Sequence, residues 1–154
     1  MVETEASAYP GSASVEFVAT GAPRTQMGWE VVPEGLIDVL EMASARAPGL
    51  PLVVTENGSA FEDVVSSDGV VHDSERLEYL RDHLAACANA IARGLPLTGY
   101  FGWSLIDNFE WAWGYSRRFG LVHVDYETQQ RTLKDSGSWL KAFLHERDSS
   151  VSGD

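Results

Sequence analysis

Two short apolar runs, separated by one amphipathic helix pattern, constrain this chain more than anything else in it. The first, Leu52-Val53-Val54, is bounded by Pro51 and by Asn57-Gly58, so it reads as a buried strand, Leu52 to Thr55, ending in a turn. The second runs from Leu97 through Gly99-Tyr100-Phe101-Gly102-Trp103-Ser104 to Leu105. Between them, Asp73 or Ser74 caps a helix with Leu77, Leu80, Leu84, Ala88 and Ile91 on its apolar face, and Gly94 and Pro96 stop it. Strands joined through a helix are parallel, and such crossovers are right-handed. The fold class is therefore α/β.

A second helix pattern lies upstream. It opens at Pro33-Glu34, carries Leu36, Leu40, Ala43 and Ala47 on one face, and stops at Pro48-Gly49. Phe61 to His72 reads as a polar loop turning at Ser66-Ser67-Asp68-Gly69. Leu121 to Asp125 is a short extended segment, and a last helix begins near Asp135-Ser136 and packs Trp139, Leu140, Phe143 and Leu144. Three regions result: an irregular segment over residues 1–25 in which Val15 to Val18 is extended, a folded portion over 26–146, and a flexible tail over 147–154.

The 154 residues match one ordinary domain, and 44% hydrophobic content fills a sizeable core. A net charge of -12 argues against nucleic acid and against an anionic membrane surface. No 18-residue apolar stretch occurs, and Met1-Val2-Glu3-Thr4-Glu5 lacks the basic start and apolar core of a leader, so a cytoplasmic location is expected. A single cysteine, Cys87, forms no internal disulfide and reads as a small buried hydrophobe. Asn57-Gly58-Ser59 matches a glycosylation sequon but abuts a candidate active carboxylate, and we discount it. His72, His83, His123 and His145 are scattered without metal-ligand spacing, and no cofactor is implied.

The chemistry-bearing residues collect at the two strand ends. Glu56 follows the first run, and enzymes built on parallel barrels place their reacting groups at the C-terminal ends of strands. The second run opens into Asp107-Asn108-Phe109-Glu110-Trp111-Ala112-Trp113, a stretch crowded with acids and rings. Flat rings stack on the C–H faces of a pyranose, and ionised carboxylates accept paired hydrogen bonds from neighbouring hydroxyls. Trp103, Trp111, Trp113 and Phe119 supply rings; Glu56, Asp107 and Glu110 supply carboxylates. Aromatic stripes also serve as core, and a lone Glu after a strand serves as a helix cap. The coincidence of both features on one parallel sheet favours a sugar site.

Val54-Thr55-Glu56-Asn57-Gly58, then Gly99-Tyr100-Phe101-x-Trp103-Ser104-Leu105-x-Asp107-Asn108-Phe109-Glu110-Trp111 and Arg118-Phe119-Gly120-Leu121-Val122-His123-Val124-Asp125-Tyr126, resemble the C-terminal third of a family 1 glycoside hydrolase of the β-glucosidase type. Met27-Gly28-Trp29-Glu30 extends the likeness upstream, and Arg131-Thr132, Lys134, Ser136 and Trp139 extend it downstream, covering roughly residues 24 to 145. The resemblance implies a partial TIM (β/α)₈ barrel, with the last two βα units and their parallel strands. It implies a retaining mechanism on a β-glucoside or other β-linked sugar, with Glu56 as catalytic nucleophile. Glu110 and Trp111 would bind sugar hydroxyls, Trp103 would form the platform beneath the sugar, and Phe119 would line the pocket. Trp113 falls in the more variable outer loop.

The departures are specific. The family's general acid/base lies in an Asn-Glu-Pro motif, and none occurs here. A closed barrel needs about 250 residues, more than this chain has. A complementing N-terminal barrel segment, or self-association through open strand edges, is therefore the expected partner. A non-catalytic sugar-binding or interaction fragment of the same fold is the alternative, and a fragment that misfolds alone is a third.

Overall fold

A computed structural model of the chain describes residues 20–151, with side chains through residue 146. The element order is α1 (Pro33–Arg46), β1 (Leu52–Asn57), α2 (Ser74–Ala92), β2 (Leu97–Gly102), β3 (Val122–Val124), β4 (Arg131–Leu133) and α3 (Asp135–Val151). β1 and β2 pair in parallel, from Leu52 beside Leu97 to Asn57 beside Gly102. β3 and β4 form a separate antiparallel pair. The extended piece expected at Val15 to Val18 lies outside the described residues, and α3 stays helical to Val151, past the start of the expected tail at 147.

Helix α1 starts on Pro33, where no amide donor is lost, and Glu34 meets the positive end of its dipole. It packs on α2, and both cover one face of the sheet. Leu40, Val54, Cys87, Ala90 and Leu97 form the core there, and Leu36, Leu52 and Tyr100 pack around it.

Several local expectations are corrected. β1 continues to Asn57, so Glu56 belongs to the strand rather than to the turn after it. β2 stops at Gly102, three residues short of Leu105; the Trp103-Ser104 peptide is cis, and the Ser104 amide donates to the Phe119 carbonyl at 3.2 Å instead of continuing the ladder. The buried face of α2 is Arg76, Leu80, His83, Ala86, Cys87 and Ala90, while Ala88 and Ile91 are exposed. The loop after β1 is not simply polar, because Ala60, Phe61 and Val71 are buried. Leu144 of α3 is exposed. Asp73 does sit at the N-cap of α2 but makes no side-chain cap bond there. Its carboxylate instead accepts from the Ser136 amide at 2.8 Å, at the positive end of α3.

β4 was not foreseen. It turns back on β3 through Asp125, which accepts from the Glu127 and Thr128 amides, and through Gln129 at φ 62°. No described helix is long and apolar enough to cross a membrane.

Candidate active site

Glu56 is exposed at the C-terminal end of β1, past buried Val54 and beside half-buried Asn57, where a register shift between Val54 and Asn57 interrupts the regular alternation of the strand. The Trp103 amide donates to the Asn57 carbonyl at 2.8 Å, which brings the end of β2 against Gly58. This approach requires glycine: a Cβ at Gly58 would lie 1.6 Å from the Trp103 carbonyl oxygen. The Tyr100 hydroxyl donates to Asn57 Oδ1 at 2.7 Å, so the residue after Glu56 is held by side chain and backbone together. Burial, then the neighbouring Tyr79, pushes the Tyr100 hydroxyl pKa up and keeps it a neutral donor.

The acid-and-ring loop folds back on itself. The Glu110 amide donates to the Gly114 carbonyl at 2.7 Å, and the Trp113 amide donates to the Glu110 carbonyl at 2.7 Å. Trp111, at φ 33°, is 84% exposed on a short 3₁₀ turn. A bulky residue at positive φ costs of order 1–3 kcal/mol, and such strain gathers at functional sites.

Glu56, Trp103, Glu110, Trp111 and Phe119 all line one open cavity of about 600 Å³ at the C-terminal ends of the parallel strands. Trp29, Asn57, Gly58 and Tyr79 complete its lining. Trp29 leans toward Phe119 with ring centroids 6.1 Å apart. Its signal was the Met27-Gly28-Trp29-Glu30 stretch, which gave no role by spacing alone. Tyr79 had no signal, since a helix pattern does not say which ring reaches a strand end. Trp113 is not in the lining and packs under Arg117, 4.3 Å from its ring centre.

Asp107 has a different task from the other two carboxylates. It is buried and accepts from Lys134 Nζ at 2.9 Å, Arg118 Nη1 at 2.6 Å and the Gly120 amide at 2.9 Å. Burial pushes its pKa up, but Lys134 and Arg118 outweigh that and hold it below the usual carboxylate value. A carboxylate so fully engaged is a structural tie. Two free carboxylates and several rings around an open cavity are the parts a sugar needs.

The model of glycosyl hydrolase family 1 matches residues 2–149. The chain belongs to glycosyl hydrolase family 1. It is 52% identical over 145 residues to the bifunctional β-D-glucosidase/β-D-fucosidase of Bifidobacterium breve, covering 92% of this chain and 32% of that protein. It is 54% identical over 127 residues to β-glucosidase A of Thermotoga maritima, covering 82% of this chain and 28% of the relative. The solved β-glucosidase from Thermotoga maritima in complex with glucoimidazole superposes with a TM-score of 0.82 at 52% identity, over 84% of this chain and 30% of that one. The chain thus spans about a third of the length of these family 1 relatives.

Proposed function

We propose that this chain is the C-terminal third of a retaining β-glucosidase, contributing the last two βα units of a (β/α)₈ barrel and the nucleophile half of its site. The carrying observation is the convergence of Glu56, Glu110, Trp103, Trp111 and Phe119 on one cavity at the ends of parallel strands. The pairing of β1 with β2 across a helix supports the same reading.

In this reading a terminal β-D-glucoside lies on the Trp103 ring, with its hydroxyls donating to Glu110 and meeting Trp111, and with Phe119 closing one side. A Glu56 carboxylate oxygen attacks the anomeric carbon as the bond to the leaving-group oxygen breaks. A general acid protonates that oxygen, and water then releases the sugar from Glu56 with the same group acting as base. The chain has no Asn-Glu-Pro motif to supply that group. Its loss costs a factor of about 10² to 10⁴, so the chain alone binds sugar without appreciable turnover. A complementing barrel segment restores hydrolysis.

The test is covalent trapping. With the complementing segment added, a 2-deoxy-2-fluoro glucoside with an activated leaving group should leave an adduct that peptide mapping places on Glu56. Glu56→Gln should abolish it, while Glu110→Gln should mainly weaken binding. An adduct on Glu110, or full activity in Glu56→Gln, would show the carboxylates wrongly assigned. Efficient hydrolysis by the purified chain alone would refute the half-site.

A further inference from the structure

Outside the cavity lining lies a buried set of charges that the proposed chemistry does not use. Lys134, wholly inaccessible, donates to Asp63 and to Asp107. Arg76, also buried, donates to Asp63 at 2.9 Å and to Asp73 at 2.5 Å. Arg118 completes the set on Asp107 at 2.6 Å. Three cations therefore face three carboxylates, and the buried charge balances. Burying charge is costly, and a balanced ion set is no better for stability than a well-packed apolar one. That cost directs attention to what the set connects.

Its ties run to the segments that carry the cavity lining. Arg76 Nη2 donates to the Arg118 carbonyl at 2.8 Å, the residue before Phe119. Asp107 holds the Gly120 amide at 2.9 Å, the residue after Phe119, and lies three residues before Glu110. Asp63 belongs to the loop that leaves β1, and Arg76 Nε donates at 3.4 Å to the carbonyl of Ser59, the residue after Gly58. One set of side chains thus holds the strand end bearing Glu56 and the loop bearing Glu110 and Phe119.

We propose that Arg76 and Lys134 are positioning residues for the cavity, setting the spacing between the Glu56 strand end and the Glu110–Phe119 loop. The role of that spacing in sugar binding rests on the function proposed above. A planar guanidinium reaching two carboxylates and the Arg118 carbonyl fixes direction, which an ammonium does not. Misplacement of about 1 Å in such a site costs on the order of a hundredfold.

The test uses the full chain labelled with ¹⁵N and titrated with glucoimidazole. Arg76→Lys keeps the charge and loses the fork. Lys134→Met combined with Asp107→Asn keeps the buried set balanced, so at least one variant should fold. Leu40→Ala, in the core away from the set, controls for lost stability. The expected result is displaced signals for the Gly58 and Gly120 amides and the Trp103 and Trp111 indoles in the charge variants but not in Leu40→Ala, with glucoimidazole bound at least tenfold more weakly. Folded charge variants whose cavity signals match the wild type would overturn the proposal. Failure of the wild type to bind glucoimidazole would sink the sugar reading, and the cavity signals would still decide the positioning role.

Discussion

Gly58→Ala and Gly102→Ala make a sharp pair, because both glycines lie at the C-terminal ends of the paired strands and only one is crowded. A Cβ on Gly58 would meet the Trp103 carbonyl oxygen at 1.6 Å and its carbon at 2.7 Å, whereas a Cβ on Gly102 meets nothing within 4 Å. The oxygen must retreat by about 1.4 Å to reach even a 3.0 Å contact. No rotamer absorbs this, since both groups are backbone. Trp103 is tied to the Asn57 carbonyl at 2.8 Å and Ser104 to Leu121 at 3.0 Å and Phe119 at 3.2 Å. Overpacking of this kind costs about 1–3 kcal/mol. Gly102→Ala instead gains about 0.4–1 kcal/mol by restricting the unfolded chain. Urea unfolding followed by far-ultraviolet circular dichroism should therefore separate the two variants by roughly 1.5–4 kcal/mol. Glucoimidazole affinity should fall on the order of a hundredfold in Gly58→Ala alone, because Trp103 moves relative to Glu56. A Gly58→Ala chain within about 0.5 kcal/mol of wild type, with unchanged affinity, would refute the close approach as the register of the site.

Lys134→Ala leaves three buried carboxylates facing two cations, and urea unfolding should report a loss of about 3–5 kcal/mol. His72 bridges Asp135 at 2.7 Å and Asp68 at 3.2 Å, and these acceptors raise its pKa above 6.5; its contribution is full below that pH and disappears as pH rises through the raised value, so His72→Gln should flatten the alkaline side of the stability profile. His83 is shifted the other way, chiefly by burial, and its contribution is lost as pH falls below 6.5, so His83→Gln should flatten the acid side. Leu105, Leu133 and Leu144 are exposed around an apolar groove of about 360 Å³, and Leu105→Lys with Leu133→Lys should lower the associated fraction seen by light scattering.

Strands β1 to β3, the three helices and the cavity placement of Glu56, Trp103, Glu110, Trp111 and Phe119 were legible because each rests on local signals: apolar runs closed by glycine and proline, and rings next to acids. What was not legible depends on partners distant in the chain. Asp73 looks like a cap for the helix it precedes, yet its carboxylate serves Ser136, 63 residues away. Asp107 stands in the same acidic loop as Glu110, and only Lys134 and Arg118 separate a structural carboxylate from a free one. Arg76 and His83 look polar, so hydrophobic spacing alone puts the α2 face too near Ile91; burial there follows paired charge and a hydrogen bond to the Tyr79 carbonyl as well as hydrophobicity. Tyr79 and Trp29 reach the cavity through tertiary placement, which no spacing rule encodes.

Pattern and exposure disagree in one consistent direction. A continuous apolar strand such as Leu52-Val53-Val54 is built for burial on both faces, as in parallel sheets covered on each side. Here only Val54 is buried, while Val53 is 45% and Phe101 63% exposed on a sheet of two strands. Val39 on α1 and Ile91 on α2, each 54% exposed, point the same way from the helical layer. The Glu56 cavity shares this incompleteness, since it is open and its two lining carboxylates are taken by other roles in the proposed mechanism, Glu56 as nucleophile and Glu110 as sugar ligand. On the proposed function, the uncovered apolar surface and the proton donor that the mechanism needs would thus belong at the same sheet. One complementing body, adding strands beside β1 or β2, would supply both, and so stability and turnover should return together on its addition rather than one without the other.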